Sequence, residues 1–267
     1  MSALVETPSN RLPSSAAAWS IRVLDETDST NRQAAALPAW SAVTAAVQTA
    51  GRGRHSRSWV SDRGGLWLSA VLPTPGDPIA WSILPLAAGW ALCDALASFG
   101  ISDLRLRWPN DIMVGRAKLA GILVERFGPA TAVVGLGVNF DNRPEIVDSS
   151  LAGLVAHVPD LAAPVPARNE VRDAILARLA TAQAEIAAGN AENLTLRLTP
   201  FWRRHRVHVT LRPDHVATEG TFAGVDADGR LRLEVDDGDV RWLAPAEVEL
   251  LREILPADTD FPTNSDL

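Results

Sequence analysis

Cysteine is almost absent: Cys93 is the only one among 267 residues, which excludes an intrachain disulfide and fits a reducing, cytoplasmic setting. Also missing is any uninterrupted apolar run of roughly 18 residues, and the opening MSALVETPSNRLPSSAAAW has no basic head followed by an apolar stretch. Neither membrane insertion nor a signal peptide is expected. Positive charge is scarce overall, with a net charge of -7 and a sequence pI near 5.3. That balance argues against general nucleic-acid affinity, because binding nucleic acid requires neutralising phosphates. No internal repeat is evident, and no low-complexity tract interrupts the central part of the chain.

What is present is material for a large core: 47% of residues are hydrophobic and 21% charged. Alternation and apolar runs predict strands at WSIRVLDET, SAVTAAVQTA, GLWLSAVLP, KLAGILVERF and TAVVGLGVNF. A short helix is expected at STNRQAAAL, a longer one over 80–99 ending at Gly100, and two more over 168–188 and 190–202. From Val207 onward, VHVTLRP, TEGTFAGVD, RLRLEVDD and VRWLAP alternate with DADG and DDGD turns, the pattern of a small β barrel. The expected architecture is α/β of the α+β type, with a mixed sheet. Its expected divisions are a flexible tail over 1–19, a main domain over 20–204, a small β domain over 205–255 and a second tail over 256–267.

One loop opposes the global charge. GRGRHSRSW, Gly51 to Trp59, places three arginines and a histidine on a glycine-hinged segment between two strands. Glycines let backbone N–H groups approach an anion, and guanidinium forks match phosphate or carboxylate in pairs. A solvated turn or an RNA-contacting surface fits the same short run. DSTN, Asp28 to Asn31, opens a helix; Thr30-Asn31-Arg32-Gln33 fits a capping box, Ser29, Thr30 and Asn31 also make a compact set of donors and acceptors for a small polar ring, and the two readings are compatible. RWPND, Arg107 to Asp111, is a turn whose Asn and Asp serve turn chemistry or a nucleotide, and Lys118 follows at the head of an apolar strand. GLGVN, Gly135 to Asn139, lacks the third glycine of a dinucleotide fingerprint. His205 and His208 have no Cys or carboxylate cluster beside them in sequence, so no metal site is expected there. Cys93 sits on an apolar helix and reads as core.

Together and in this order, DSTN, QTAGRGRHSRSW, RWPND with GRAKLAGILVE, and GLGVN resemble the biotin protein ligases. The resemblance covers about residues 21–140 by motif, and the later helices and β barrel agree with that family's catalytic domain and small SH3-like domain. It implies an enzyme that joins biotin to ATP as biotinyl-5'-AMP, then transfers biotin to a lysine of a biotin carboxyl carrier protein. It implies that Ser29, Thr30, Asn31 and Gln48 read the biotin ring, and that Arg52, Gly53, Arg54 and Lys118 hold its carboxylate and the phosphate. Arg52, Arg54 and Lys118 are the expected catalytic residues. Arg57, Trp59, Asn110, Asp111 and Asn139 fall on the nucleotide side. Magnesium is expected with ATP, with no metal ligand assigned and Asp111 the candidate. A monomer or homodimer fits equally. Two departures stand out: Ser56 occupies a position where the family usually has glycine, and Arg107 one where it usually has lysine. Only about 20 residues precede the resemblance, so a DNA-binding domain and nucleic-acid partners are not expected. The rivals are a lipoate ligase of the same fold and a nucleic-acid-binding module.

Overall fold

The computed structural model describes residues 19–142 and 155–254. The expected tails lie outside these residues, apart from Trp19. Seven strands form one sheet: β1 (Ser20–Thr27), β2 (Ser41–Gln48), β3 (Leu66–Pro73), β4 (Leu104–Arg107), β5 (Asp111–Val114), β6 (Ala117–Glu125) and β7 (Thr131–Val138). Their spatial order is β1-β2-β3-β7-β6-β5-β4. Only the β1–β2 pair is parallel, so the sheet is mixed. Helix α1 (Thr30–Ala35) makes the β1–β2 crossover.

The sheet is covered unequally. On one face α1 closes a small cluster of Ala34, Val43, Val71 and Val133. The opposite face carries the main core beneath α2 (Leu84–Ala97), α3 (Arg168–Ala187) and α4 (Ala191–Leu198). Burial on both faces explains why β3 and β7 read as continuous apolar runs rather than alternating ones. Helix α2 is apolar on nearly every side; its half-buried Asp94 pairs with Arg178 of α3 at 2.8 Å. Cys93 is fully buried, and burial pushes its thiol pKa up, as expected of a core residue.

A second sheet, all antiparallel, has the order β11-β10-β9-β8-β12, from β8 (His205–Leu211), β9 (Ala217–Val225), β10 (Leu231–Val235), β11 (Val240–Leu243) and β12 (Val248–Ile254). Val207, Val209, Leu231, Leu233 and Leu251 share the main core. Two polar links fasten it to the β4–β5 hairpin. Trp108 Nε1 donates to the Gly229 carbonyl at 3.0 Å, and Arg105 binds both oxygens of Glu253 at 2.5 and 3.0 Å. The Glu253 carboxyl, against the desolvating effect of burial, is held down to about 2 by His205 and Arg105.

Several sequence expectations change. The helix over 80–99 is divided: a 3₁₀ turn covers Pro78–Trp81, and α2 begins only at Leu84, with Pro85 in its first turn. The helix over 190–202 ends at Leu198 because Pro200 follows, leaving a 3₁₀ turn. The β4–β5 hairpin and β12 were not anticipated as strands.

Candidate active site

A cleft of about 940 Å³ opens between the larger sheet and β12. Four loops or strand ends meet in it: the start of α1, the arginine loop after β2, the β4–β5 turn, and the facing segments of β6 and β7. Ser29, Asn31, Gln48, Arg52, Gly53, Arg54, Arg57, Trp59, Asn110, Asp111 and Lys118 all line it. Thr30 lies just behind, and Asn139 does not line it.

At the closed end, Gln48 organises the polar groups. Its Oε1 accepts from Thr30 N at 2.8 Å and Thr30 Oγ1 at 2.9 Å, while its Nε2 donates to Ser61 Oγ at 2.8 Å. Ser69 Oγ lies 2.6 Å from Asn31 Oδ1 and 2.8 Å from Thr30 Oγ1. The capping box expected between Thr30 and Gln33 is therefore not formed. The N-cap Ser29 makes no side-chain cap, and Thr30 turns to Gln48 because that acceptor is aligned with both of its donors. Asp28 supports the turn instead, accepting from Ser29 N and pairing with Arg32; the Arg32 bond, then the Ser29 N–H, lowers its pKa to about 2.

The floor is made flat by glycine. Gly121 and Gly137 face each other across β6 and β7, and a Cβ on them would lie 2.9 and 2.6 Å from the Trp59 ring. Trp59 therefore rests directly on the sheet. A Cβ at Gly135 would lie 2.2 Å from Asn31 Oδ1, so this glycine seats Asn31 in the same way.

Cations line the opposite wall. Lys118 Nζ stands 4.8 Å from the Trp59 ring centroid and 2.6 Å from Asp111 Oδ1, while Arg107 Nη2 takes Asp111 Oδ2 at 2.6 Å. Burial opposes the ionised form of Asp111, yet Lys118 and Arg107 together hold its pKa below the ordinary value. Arg54 reaches the turn between β11 and β12: its Nη2 donates to the Pro245 carbonyl at 2.6 Å and its Nη1 to Asn110 Oδ1 at 3.4 Å. Burial, followed by Arg212 and Arg57, lowers the Arg54 pKa against the pull of Asp111. Arg57, Arg116 and Arg252 add positive charge at the rim, so the cleft reverses the sign of the whole chain.

The arginine loop is conformationally costly. His55 and Ser56 both adopt left-handed backbone angles, with φ of 54° and 59°, a region that favours glycine. Arg52 Nε and Trp59 Nε1 are buried donors with no hydrogen-bond partner among the described residues. Backbone strain of this kind clusters at active sites and ligand clamps.

Asn139 is buried beneath the cleft. Its Nδ2 donates to the Lys118 carbonyl at 3.2 Å and its Oδ1 accepts from Asn142 at 3.2 Å, so it braces the strand that carries Lys118. Sequence reasoning missed Ser61, Ser69, Glu125 and the Val248–Glu253 wall. Glu125, which closes an apolar strand with a charge, was the one with a visible signal. Among the described residues no group of three or more His, Cys, Asp or Glu is arranged to hold a metal.

Residues 20–140 match the biotin/lipoate A/B protein ligase family, and 205–251 match the biotin protein ligase C-terminal domain. A biotin--[acetyl-CoA-carboxylase] ligase of Mycobacterium tuberculosis is 34% identical over 80% of this chain and 82% of its own length. One of Paracoccus denitrificans is 33% identical over 84% and 97%. A biotin protein ligase of Aquifex aeolicus, solved in complex with biotin and ATP, superposes with a TM-score of 0.75 at 23% identity, covering 88% of this chain and 99% of that one.

Proposed function

The chain belongs to the biotin protein ligases, within the biotin/lipoate A/B protein ligase family, and from that premise we propose how its cleft performs the reaction. It is an acid–amine ligase that uses biotin and ATP. The observation that carries the residue assignment is the meeting, in one cleft, of the polar end built on Gln48 and the cationic wall around Lys118.

In the first half-reaction a biotin carboxylate oxygen attacks the α-phosphorus of ATP, the bond to the β-phosphate oxygen breaks, and pyrophosphate leaves. Two anions must approach, and fixed cations reduce their repulsion while setting the line of attack. Ser29, Asn31 and Gln48 are the groups for the ureido ring, with Thr30 orienting Gln48. Lys118, Arg52 and Arg54 are placed for the carboxylate and phosphate, with the Gly53 backbone beside them. Trp59 offers its face to a ring, while Arg57, Asn110 and Asp111 lie on the nucleotide side. Asn139 acts through Lys118 rather than on the nucleotide. In the second half-reaction a lysine amine of a carrier protein attacks the acyl carbonyl, and AMP departs with the bonding pair.

Asp111 is a poor fit as an open metal ligand, since Lys118 and Arg107 already occupy its two oxygens. Magnesium, in this reading, belongs to the triphosphate it accompanies. The carrier is the biotin carboxyl carrier domain of a carboxylase, and the setting is cytoplasmic. Incubating the protein with biotin, ATP and such a domain should give a biotinylated carrier, detected by streptavidin blot. A carrier variant with its acceptor lysine changed to arginine should remain unlabelled; equal labelling of both would reject specific transfer.

A further inference from the structure

Glu125 closes β6, and one of its oxygens is shared by two residues from other parts of the chain. Oε2 accepts from Asn31 Nδ2 at 2.7 Å and from Arg52 Nη2 at 2.7 Å. Asn31 belongs to the start of α1 and Arg52 to the strained arginine loop, and both line the cleft. The Glu125 side chain is 23% exposed and that of Arg52 33%, so the pair is partly withdrawn from water, with Glu125 standing behind the two cleft-lining residues it holds. Ser69 takes the Asn31 carbonyl oxygen from the other side, which fixes the amide with its NH₂ toward Glu125. Among the described residues, Glu125 is the carboxylate with which Arg52 forms an ion pair.

We propose that Glu125 is a positioning residue for acid activation: its carboxylate holds the Arg52 guanidinium in the cleft and sets the Asn31 amide, so that the incoming carboxylate meets a preformed cation. The inference rests on the ligase reading above. A long arginine side chain on a loop with two left-handed non-glycine residues has many unproductive conformations, and a tether removes them before the substrate arrives. Glu125 itself makes and breaks no bond in the reaction.

Glu125→Gln separates charge from shape, because the amide oxygen still accepts from Asn31 while the charge facing Arg52 is gone. The expected result is a biotin KM in ATP–pyrophosphate exchange raised about tenfold, with kcat changed less than about threefold. Glu125→Asp should fall between Glu125→Gln and the native protein. In an Arg52→Ala background, Glu125→Gln should raise KM no further, the signature of a residue acting through Arg52. An unchanged KM, or effects that multiply independently in the double variant, would overturn the proposal. Trypsin supplies a readout without activity: the unliganded Gln variant should be cut after Arg52, Arg54 or Arg57 about tenfold faster than the native chain, equivalent to about 1.4 kcal/mol of lost local protection. If the native protein shows no biotin-dependent exchange, the ligase reading fails. Equal cleavage of the two proteins would still decide separately against the tether.

Discussion

Lys118→Ala is expected to lower biotin-dependent ATP–pyrophosphate exchange by about 100- to 1,000-fold, the usual loss when one preorganised charge at a developing anion is removed. Lys118 is the only lysine in the chain, so no second ammonium can take its place. Its Nζ is fixed between Asp111, at 2.6 Å, and the Trp59 ring, and it supplies a compact point charge that a guanidinium cannot reproduce. The variant should remain folded, because Asp111 keeps its bond to Arg107 and Lys118 is at the surface of the cleft. The comparison therefore requires matched circular dichroism and unfolding curves. A loss below about tenfold would move the electrostatic burden to Arg52 and Arg54.

Glu253→Ala should produce the largest stability loss, about 3–5 kcal/mol, by leaving Arg105 charged and buried without its partner. The Arg105 and Glu253 side chains are 10% and 5% exposed, and His205 Nε2 is 3.2 Å from the same carboxylate. Because this triad joins β4 to β12 and β8, the break should detach the small sheet before the large one unfolds. Urea titration followed by far-ultraviolet circular dichroism should show an earlier or a biphasic transition. The same carboxylate sets an acid limit. Its pKa is held at about 2 in the fold, below the ordinary glutamate value of 4.5, so it contributes stability in full above about pH 4.5 and progressively less as pH falls toward 2. A variant as stable as the native protein would show that the two sheets are held by apolar packing alone.

The strands, α1 and the placement of the arginine loop were legible because hydrophobic period and glycine boundaries are local signals. The β4–β5 hairpin was not, since LRLR and DIMV are four residues each and RWPND reads first as a turn. Strand β12 was missed for another reason: VELLREI carries no alternation, and only its pairing with β8 makes it a strand. Within the cleft, Ser29, Asn31, Gln48, Arg52 and Lys118 were named from motifs whose order along the chain matched a known family. The junction of Asn31 with Arg52 through Glu125, and with Thr30 through Ser69, was invisible, because it depends on contacts between residues 38 to 94 positions apart. Asn139 lay in a matching motif but is turned away from the cleft, since its amide is engaged by the Lys118 carbonyl and Asn142. Ser56, noted where glycine is usual, does adopt a positive φ.

The most direct test of the central claim is ATP–pyrophosphate exchange by the native protein, with biotin and lipoate supplied separately. Exchange that depends on biotin, with lipoate giving little, is the predicted result. Exchange driven by lipoate, or none with biotin in a folded sample, would contradict it.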